Sequence, residues 1–257
     1  MTVETARAAD HVAELILNRP EAMNAISTDL AAALGEACAG LAADREVDVV
    51  LITSRSERAF SVGADLKERA GFSDDQLLGQ RPVLRGAFDA VRGLPMPTLA
   101  VVEGYALGGG CELALAADLI VAGTEATFGL PETSVGLVPG GGGTQALQRR
   151  IGYPRAAELI FTGRRVDAAE AERIGLADRV VPAGTARAAA LELADRIAAN
   201  SPLAVRTAKR ALRDGAGREL TSALAIEDRA WRSVAVSADR KEGIAAFVAK
   251  RRPEWER

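Results

Sequence analysis

Residues 98–122 read TLAVVEGYALGGGCELALAADLIVA, and the order of chemistries along this stretch decides the fold. A β-prone apolar run, Thr98–Ala106, leads to three consecutive glycines, Gly108–Gly110. Next comes a helix-compatible segment, Cys111–Ala117, apolar everywhere except at Glu112, and then a further strand candidate, Asp118–Ala122. Strand, glycine turn, helix and strand in succession give the βα rhythm of a mostly parallel sheet. Three glycines in a row weaken helix and strand alike without filling space. They let a backbone approach a ligand closely and then start a helix with its N–H groups free. Such groups favour developing negative charge, as on a carbonyl oxygen passing toward an enolate. A plain strand-to-helix turn is the other reading. A phosphate-cradling loop fits poorly, because neither this run nor Gly140–Gly143 carries the Lys-Ser/Thr pair such loops use.

The same alternation extends toward the N-terminus. Val12–Leu17 is a strand candidate stopped by Asn18-Arg19-Pro20, and Ser27–Ala42 has helical apolar spacing behind a Ser27 N-cap. Val47–Thr53 is a buried-strand candidate. The segment AFSVGADLK, Ala59–Lys67, adds a second glycine turn, where Gly63 would let the Ala64 N–H face a ligand. Beyond Gly143 the pattern is mainly helical. Pro154–Phe161 opens on proline, and Asp167 with Glu170 predicts a capping box for a helix ending at Gly175. After a strand at Ala177–Val181 come helices at Thr185–Ala199, Pro202–Asp214 behind Ser201, and Arg218–Val236. A last helix, Asp239–Lys250, opens on an Asp239–Glu242 box. The pattern divides the chain into an α/β core over residues 1–197 and a helical region over 198–257 of a kind that often serves assembly.

Composition narrows the function classes. The 257 residues are 48% hydrophobic and 26% charged, the balance of an ordinary globular chain, with no membrane-length apolar run and no secretion signal. Two cysteines build no disulfide framework, and a single histidine makes an imidazole metal site untenable. A net charge of −3 offers no general attraction to nucleic acid or to anionic membrane. These features lead us to expect a cytoplasmic, metal-free protein.

Two glutamates stand out. Glu112 lies in the first turn of an otherwise apolar helix. It either favours the positive end of the helix dipole or points into a site where burial adapts it to proton transfer. Glu132, in FGLPET at 128–133, follows a proline and sits among apolar Phe128 and Leu130. It is either a surface-turn residue or part of a dry site.

Several long blocks occur in the order found in the crotonase, or enoyl-CoA hydratase/isomerase, superfamily. They are NRPEAMNAIS at 18–27, AFSVGADLKER at 59–69, GYALGGGCELALAADLIVA at 104–122, FGLPETSVGLVPGGGGTQ at 128–145 and DRKEGIAAFVAKRRPEW at 239–255. The chain resembles that superfamily over nearly its whole length. The resemblance implies an α/β fold, a crotonase-like ββα spiral core with a C-terminal helical trimerisation region, and a homotrimer or a hexamer built from two trimers. It also implies an oxyanion hole from the N–H groups of Ala64 and Gly109, and a catalytic pair, Glu112 and Glu132. Contacts to CoA or substrate are implied at Val62, Ala64, Asp65, Leu66, Lys67 and Gly109, and at Phe247 and Lys250 reaching over from a neighbouring subunit. Lys67 and Lys250 are two of only four lysines among 32 basic residues.

Retention of both glutamates points to enoyl-CoA hydratase activity, the addition of water across the C2=C3 bond of a 2-enoyl-CoA. Coenzyme A is then part of the substrate, and no separate cofactor is called for. By the same likeness Glu112 activates the water and Glu132 protonates Cα. Two positions depart from the family pattern: Glu21 stands where many relatives carry a basic residue, and Val62 is bulkier than the usual alanine. Alternatives within the superfamily are a methylglutaconyl-CoA hydratase-like activity, suggested by GADLKERA and AELIFTGRR, and Δ3-Δ2 enoyl-CoA isomerisation. One branch of the methylglutaconyl type binds RNA, but Gly71–Gly79 here is uncharged or acidic. A nicotinamide-dependent short-chain reductase is excluded by the lack of an N-terminal G-x-G-x-x-G and of a lysine after Tyr105 or Tyr153. The stretch Arg69–Arg92 shows no recognisable pattern and is expected to line the acyl pocket.

Overall fold

Two sheets share the chain by taking its strands almost alternately. The computed structural model describes residues 1–257. The strands are β1 (Val3–Ala9), β2 (Val12–Leu17), β3 (Val49–Ser54), β4 (Ala59–Ser61), β5 (Thr98–Val102), β6 (Tyr105–Leu107), β7 (Leu119–Gly123), β8 (Thr127–Gly129), β9 (Arg165–Asp167) and β10 (Arg179–Val181). The larger sheet runs β1-β2-β3-β5-β7-β10 and the smaller β4-β6-β8-β9. Only the β1–β2 and β8–β9 pairs are antiparallel. From β3 to β8 each consecutive pair gives one strand to each sheet, so the chain advances as a ββα spiral. This is the fold class the sequence implies.

The helices are α1 (Thr28–Ala43), α2 (Leu66–Arg69), α3 (Asp74–Gly93), α4 (Gly109–Ala116), α5 (Gly143–Ile151), α6 (Tyr153–Thr162), α7 (Ala168–Ile174), α8 (Ala186–Ala198), α9 (Pro202–Gly215), α10 (Leu220–Ala235) and α11 (Ala238–Ala249). A parallel sheet covered on both faces needs strands that are apolar throughout. Accordingly every residue of β2 and β5 is buried. Val12, Val49, Leu51, Leu99 and Val121 meet a row of small residues on α8, Ala186, Ala190 and Ala194. The alternate residues, including Leu15, Val50, Ile52 and Ala100, belong to the main core with Leu30, Leu34, Phe88 and Leu113 from α1, α3 and α4.

Several expectations change. Thr98–Ala106 is two strands in different sheets, because Gly104 turns the chain at φ 64°. A side chain there would collide with the Arg58 carbonyl. The polar start of the chain contains β1, an edge strand half open to solvent. Arg69–Arg92 holds all but the last residue of the 20-residue α3, closed at its start by a reciprocal Ser73–Gln76 capping box. The Asp167–Glu170 box is only half formed: Asp167 accepts the Glu170 N–H at 2.7 Å, while the Glu170 carboxylate pairs with Arg164. The predicted Asp239–Glu242 box is absent. Ser237 caps α11, Asp239 is buried and accepts from Ser201 Oγ, and Glu242 pairs with Arg251.

Helix α9 is tied to the core by Lys209 and Arg213, both paired with Asp118. By contrast α10 has no buried residue, and Trp231 is 68% exposed. No helix is long and apolar enough to cross a membrane.

Candidate functional site

Where α3 and α4 approach the turns at Val62–Leu66 and Pro131–Gly141, they enclose a cleft of about 410 Å³. Its walls are mainly apolar, with Leu77, Leu84 and Phe88 on the α3 side. Two carboxyl groups, Glu112 and Glu132, open onto it.

Glu112 stands in the first turn of α4 and is buried. Its Oε1 accepts the N–H groups of Gly141 and Gly143, each at 2.7 Å. Two amide donors on one oxygen fix the carboxyl plane, and Oε2 is left with no protein partner. The glycine run Gly140–Gly143 therefore serves as a clamp for Glu112, and nothing in its sequence as read above announced that.

Glu132 lies in a short 3-10 turn, Pro131–Val135, whose opening proline sets the backbone. Its Oε2 is buried without a hydrogen-bond partner. Burial pushes this carboxyl up to about 7; a backbone N–H partly offsets the rise, and the nearby Glu112 charge adds to it. Glu132 Oε1 comes within 3.3 Å of where a Cβ on Gly108 would lie, which seats the carboxyl against the start of α4.

That helix start supplies the other half of the site. Gly63, at φ 89°, turns the chain so that its neighbour Ala64 faces Gly109. A Cβ at Gly109 would lie 3.6 Å from the Ala64 nitrogen. Neither the Ala64 N–H nor the Gly109 N–H finds an acceptor in the protein, and both residues line the cleft. A buried amide is ordinarily paired, so two converging free donors form a ready receptor for an anionic oxygen.

The remaining sequence-predicted residues divide. Val62 and Leu66 line the cleft. Asp65 turns away: its carboxylate caps α2 through the N–H groups of Lys67 and Glu68 and pairs with Arg19 at 2.5 Å. Burial works against that carboxyl, but the Arg19 bond and the backbone donors hold it below its ordinary value. Lys67 is exposed beside the cleft and forms no ion pair. Phe247, 85% exposed, and Lys250 lie on the last helix and at its C-cap, outside this cleft. Glu21 is exposed and faces Arg19 at 3.7 Å. The stretch Arg69–Arg92 expected at the acyl pocket does line the cleft, through Leu77, Leu84 and Phe88 among others, but sequence reading singled out neither Arg69 nor Arg81, which both line it. The Ser73-Asp-Asp-Gln76 capping signature was the available sign that a helix carries Arg81 there.

Two free amides and a carboxyl pair thus open onto one cleft of a two-sheet spiral, and known proteins share this sequence pattern and fold. The family model described as enoyl-CoA hydratase/isomerase matches residues 7–257. The chain is 42% identical over 248 residues to the human enoyl-CoA hydratase domain-containing protein 2, mitochondrial, covering 95% of this chain and 85% of that protein. The crystal structure of an enoyl-CoA hydratase from Bacillus anthracis superposes with a TM-score of 0.97 at 41% identity, covering 99% of both chains. One from Mycobacterium smegmatis gives 0.93 at 34% identity, also over 99% of both. The chain belongs to the enoyl-CoA hydratase/isomerase family of the crotonase superfamily.

Proposed function

We propose that the chain hydrates 2-enoyl-CoA thioesters. The observation that carries this reading is the pair of unmatched N–H groups, on Ala64 and Gly109, opening onto the cleft that also holds Glu112 and Glu132.

Water adds to Cβ only if the thioester carbonyl can take up an electron pair. In the proposed complex the Ala64 and Gly109 N–H groups hold that oxygen as it becomes an enolate, and loss of one such donor costs ~2.7–4 kcal/mol of barrier. Glu112, its plane fixed by Gly141 and Gly143, accepts the water proton through its free Oε2. Glu132, held near neutrality, carries the proton that goes to Cα. A C–O bond to Cβ and a C–H bond to Cα form as the π bond between them is lost, while one O–H bond of the water breaks to give its proton to Glu112 and the Glu132 O–H bond breaks to give its proton to Cα. Isomerisation needs only one group shuttling a proton between two carbons, so a second carboxyl on the same cleft favours hydration. The thioester brings coenzyme A with it, and the reaction calls for no further cofactor.

The surface of α10 supports assembly as part of this reading. Although α10 packs on α9 of its own chain, none of its 16 residues is buried, and with exposed Phe247 and Val248 on α11 it leaves apolar surface for another chain to cover. In the proposed trimer or hexamer, Phe247 and Lys250 approach a neighbour's CoA; sedimentation of the purified chain as a monomer would remove that part.

Glu112→Gln and Glu132→Gln test the chemistry. Each should lower turnover on a 2-enoyl-CoA by orders of magnitude, followed by loss of conjugated-thioester absorbance, while CoA binding persists. Near-normal turnover in either variant would strike that residue from the mechanism.

A further inference from the structure

Four consecutive glycines, Gly140–Gly143, form the freest backbone a chain can have, yet two of their amides must hold Glu112 still. The rigidity comes from α3. Arg81, Phe88 and Arg92 lie on one stripe of that helix, and each meets a different glycine. A Cβ on Gly140 would lie 2.8 Å from Arg81 Nη1, one on Gly141 2.6 Å from the Phe88 ring, and one on Gly142 2.6 Å from Arg92 Nη2. On the other side, a Cβ on Gly143 would lie 2.9 Å from Glu112 Oε1. The loop is thus gripped between α3 and α4 with no room for side chains. Its carbonyls are held as well. Arg81, exposed on the cleft rim, donates to Gly140 at 2.5 Å, and Arg92 donates to Gly141 at 2.9 Å. The Gly142 carbonyl is taken up by α5, where it accepts the Gln145 and Ala146 N–H groups. Between the rim and α5 the Gly141 carbonyl is the remaining hinge, and Arg92, itself steadied by Asp89 one turn back, closes it.

We propose that Arg92 is a positioning residue for the reaction, holding the Gly141 carbonyl so that the Gly141 and Gly143 N–H groups aim the Glu112 carboxylate at the substrate. The inference deepens the hydratase reading and rests on it for the role of Glu112. Arg92 lies outside the cleft lining, so it touches no substrate. Its side chain is 38% exposed, and its ion pair with Asp89 adds little to stability. What it adds is geometry. A general base must be held within a fraction of an ångström of its productive place. A loop of glycines released at its middle carbonyl would let Oε1 drift, and the reacting Oε2 with it. Such drift lowers turnover. It leaves thioester binding nearly unchanged, because that depends on the Ala64 and Gly109 amides and on the apolar walls.

Arg92→Met keeps most of the reach of the side chain and removes its donors. Arg85→Met, on the same helix and facing the same Asp89 but with no bond to the loop, is the control. Arg92→Met should lower kcat on crotonyl-CoA ~10-fold while KM and the melting temperature stay close to wild type, and Arg92→Lys should recover part of the loss. Arg85→Met should change none of these. In a Glu112→Gln background no base remains to be aimed, so adding Arg92→Met should lower the residual rate less than ~2-fold. A wild-type kcat in Arg92→Met, or an equal loss in both backgrounds, would overturn the proposal. Amide exchange of the substrate-free protein gives a readout that needs no hydration. The Pro139–Thr144 segment should exchange ~10-fold faster in Arg92→Met and at the wild-type rate in Arg85→Met. Unchanged exchange in Arg92→Met would also overturn the proposal. The expected exchange in a protein that hydrates no enoyl-CoA would uphold the clamp on Glu112 and refute the hydratase reading alone.

Discussion

A Cβ built on Gly63 would lie 2.9 Å from the nitrogen of Gly109. The two glycines thus set the approach of the Ala64 turn to the start of α4, and with it the gap between the two free N–H groups.

Substituting each glycine with alanine should therefore give different failures. Gly63→Ala places a methyl against the Gly109 nitrogen and the Leu107 carbonyl, at a φ of 89° that alanine resists. It should lower both the melting temperature and activity. Gly109→Ala meets only the flexible end of Ile26 at 3.3 Å, but its methyl projects to 3.6 Å from the Ala64 nitrogen. That variant should melt near the wild-type temperature yet lose ~10²-fold or more in kcat/KM, because the receptor for the carbonyl oxygen is blocked. A Gly109→Ala enzyme with full activity would dissociate the amide pair from the chemistry.

Glu132 sets a pH dependence for the reaction. Hydration starts from a carboxyl pair holding one proton, on Glu132, and dehydration of the 3-hydroxyacyl product starts from the pair holding one proton on its other member. Adding water neither consumes nor releases a proton overall, so kcat/KM should fall along the same alkaline limb in both directions. With Glu132 pushed up to about 7, that limb should begin near pH 7. Profiles of crotonyl-CoA hydration and 3-hydroxybutyryl-CoA dehydration from pH 5.5 to 9 provide the check. A flat response to pH 9 would contradict the assignment of Glu132 as the proton carrier.

The same carboxyl makes the fold less stable in base. Below its ordinary value of 4.5 the group is neutral in folded and unfolded chains alike, so the stability due to the neutral form is fully present. Between 4.5 and about 7 the unfolded chain ionises while the folded chain keeps its proton, and that stability is lost as pH rises. Glu132→Gln cannot lose it. The melting temperature of Glu132→Gln relative to wild type should thus increase from pH 5 to pH 8, by on the order of 2–4 °C for each kcal/mol involved. A difference that stays constant across this range would show that the carboxyl is not held neutral by its surroundings.

Local chemistry explains which features were legible in the chain. The apolar runs of β2, β3 and β5 and the Ser27 and Ser201 caps are read directly, since a buried parallel strand and a helix start each impose their own residue types. The split of Thr98–Ala106 between two sheets was hidden, because both halves have the same β-prone composition and only the conformation of Gly104 separates them. The glutamates were visible as polar residues in apolar company, whereas the Gly141 and Gly143 amides that orient Glu112 carry no side-chain signature. Arg69 and Arg81 were hidden for another reason. An arginine is ordinary on a surface helix, and the positions of Arg69 at the end of α2 and Arg81 on α3 at the cleft wall depend on how those helices pack beside α4.

The anchor of the helical region should show the asymmetry expected of a buried ion pair. Lys209 is 8% exposed and lies 2.6 Å from Asp118, its ammonium also donating to the Met96 carbonyl. Burial pulls this lysine down to about 8, with Asp118 opposing the shift. Asp118 has other partners, since it accepts from the Thr98 N–H and hydroxyl and pairs with Arg213 at 2.8 Å. Replacing Lys209 with methionine leaves the carboxylate satisfied and fills the same channel with an apolar chain, so the loss should be small. Replacing Asp118 with asparagine leaves Lys209 enclosed with one neutral acceptor and should cost ~3–5 kcal/mol, read by denaturant unfolding. Removing the positive charge first should erase most of that penalty, so the Lys209→Met, Asp118→Asn double variant should be more stable than Asp118→Asn alone. If the double variant is the weaker of the two, the cost lies in Asp118's hold on Thr98 and Arg213 rather than in the stranded ammonium.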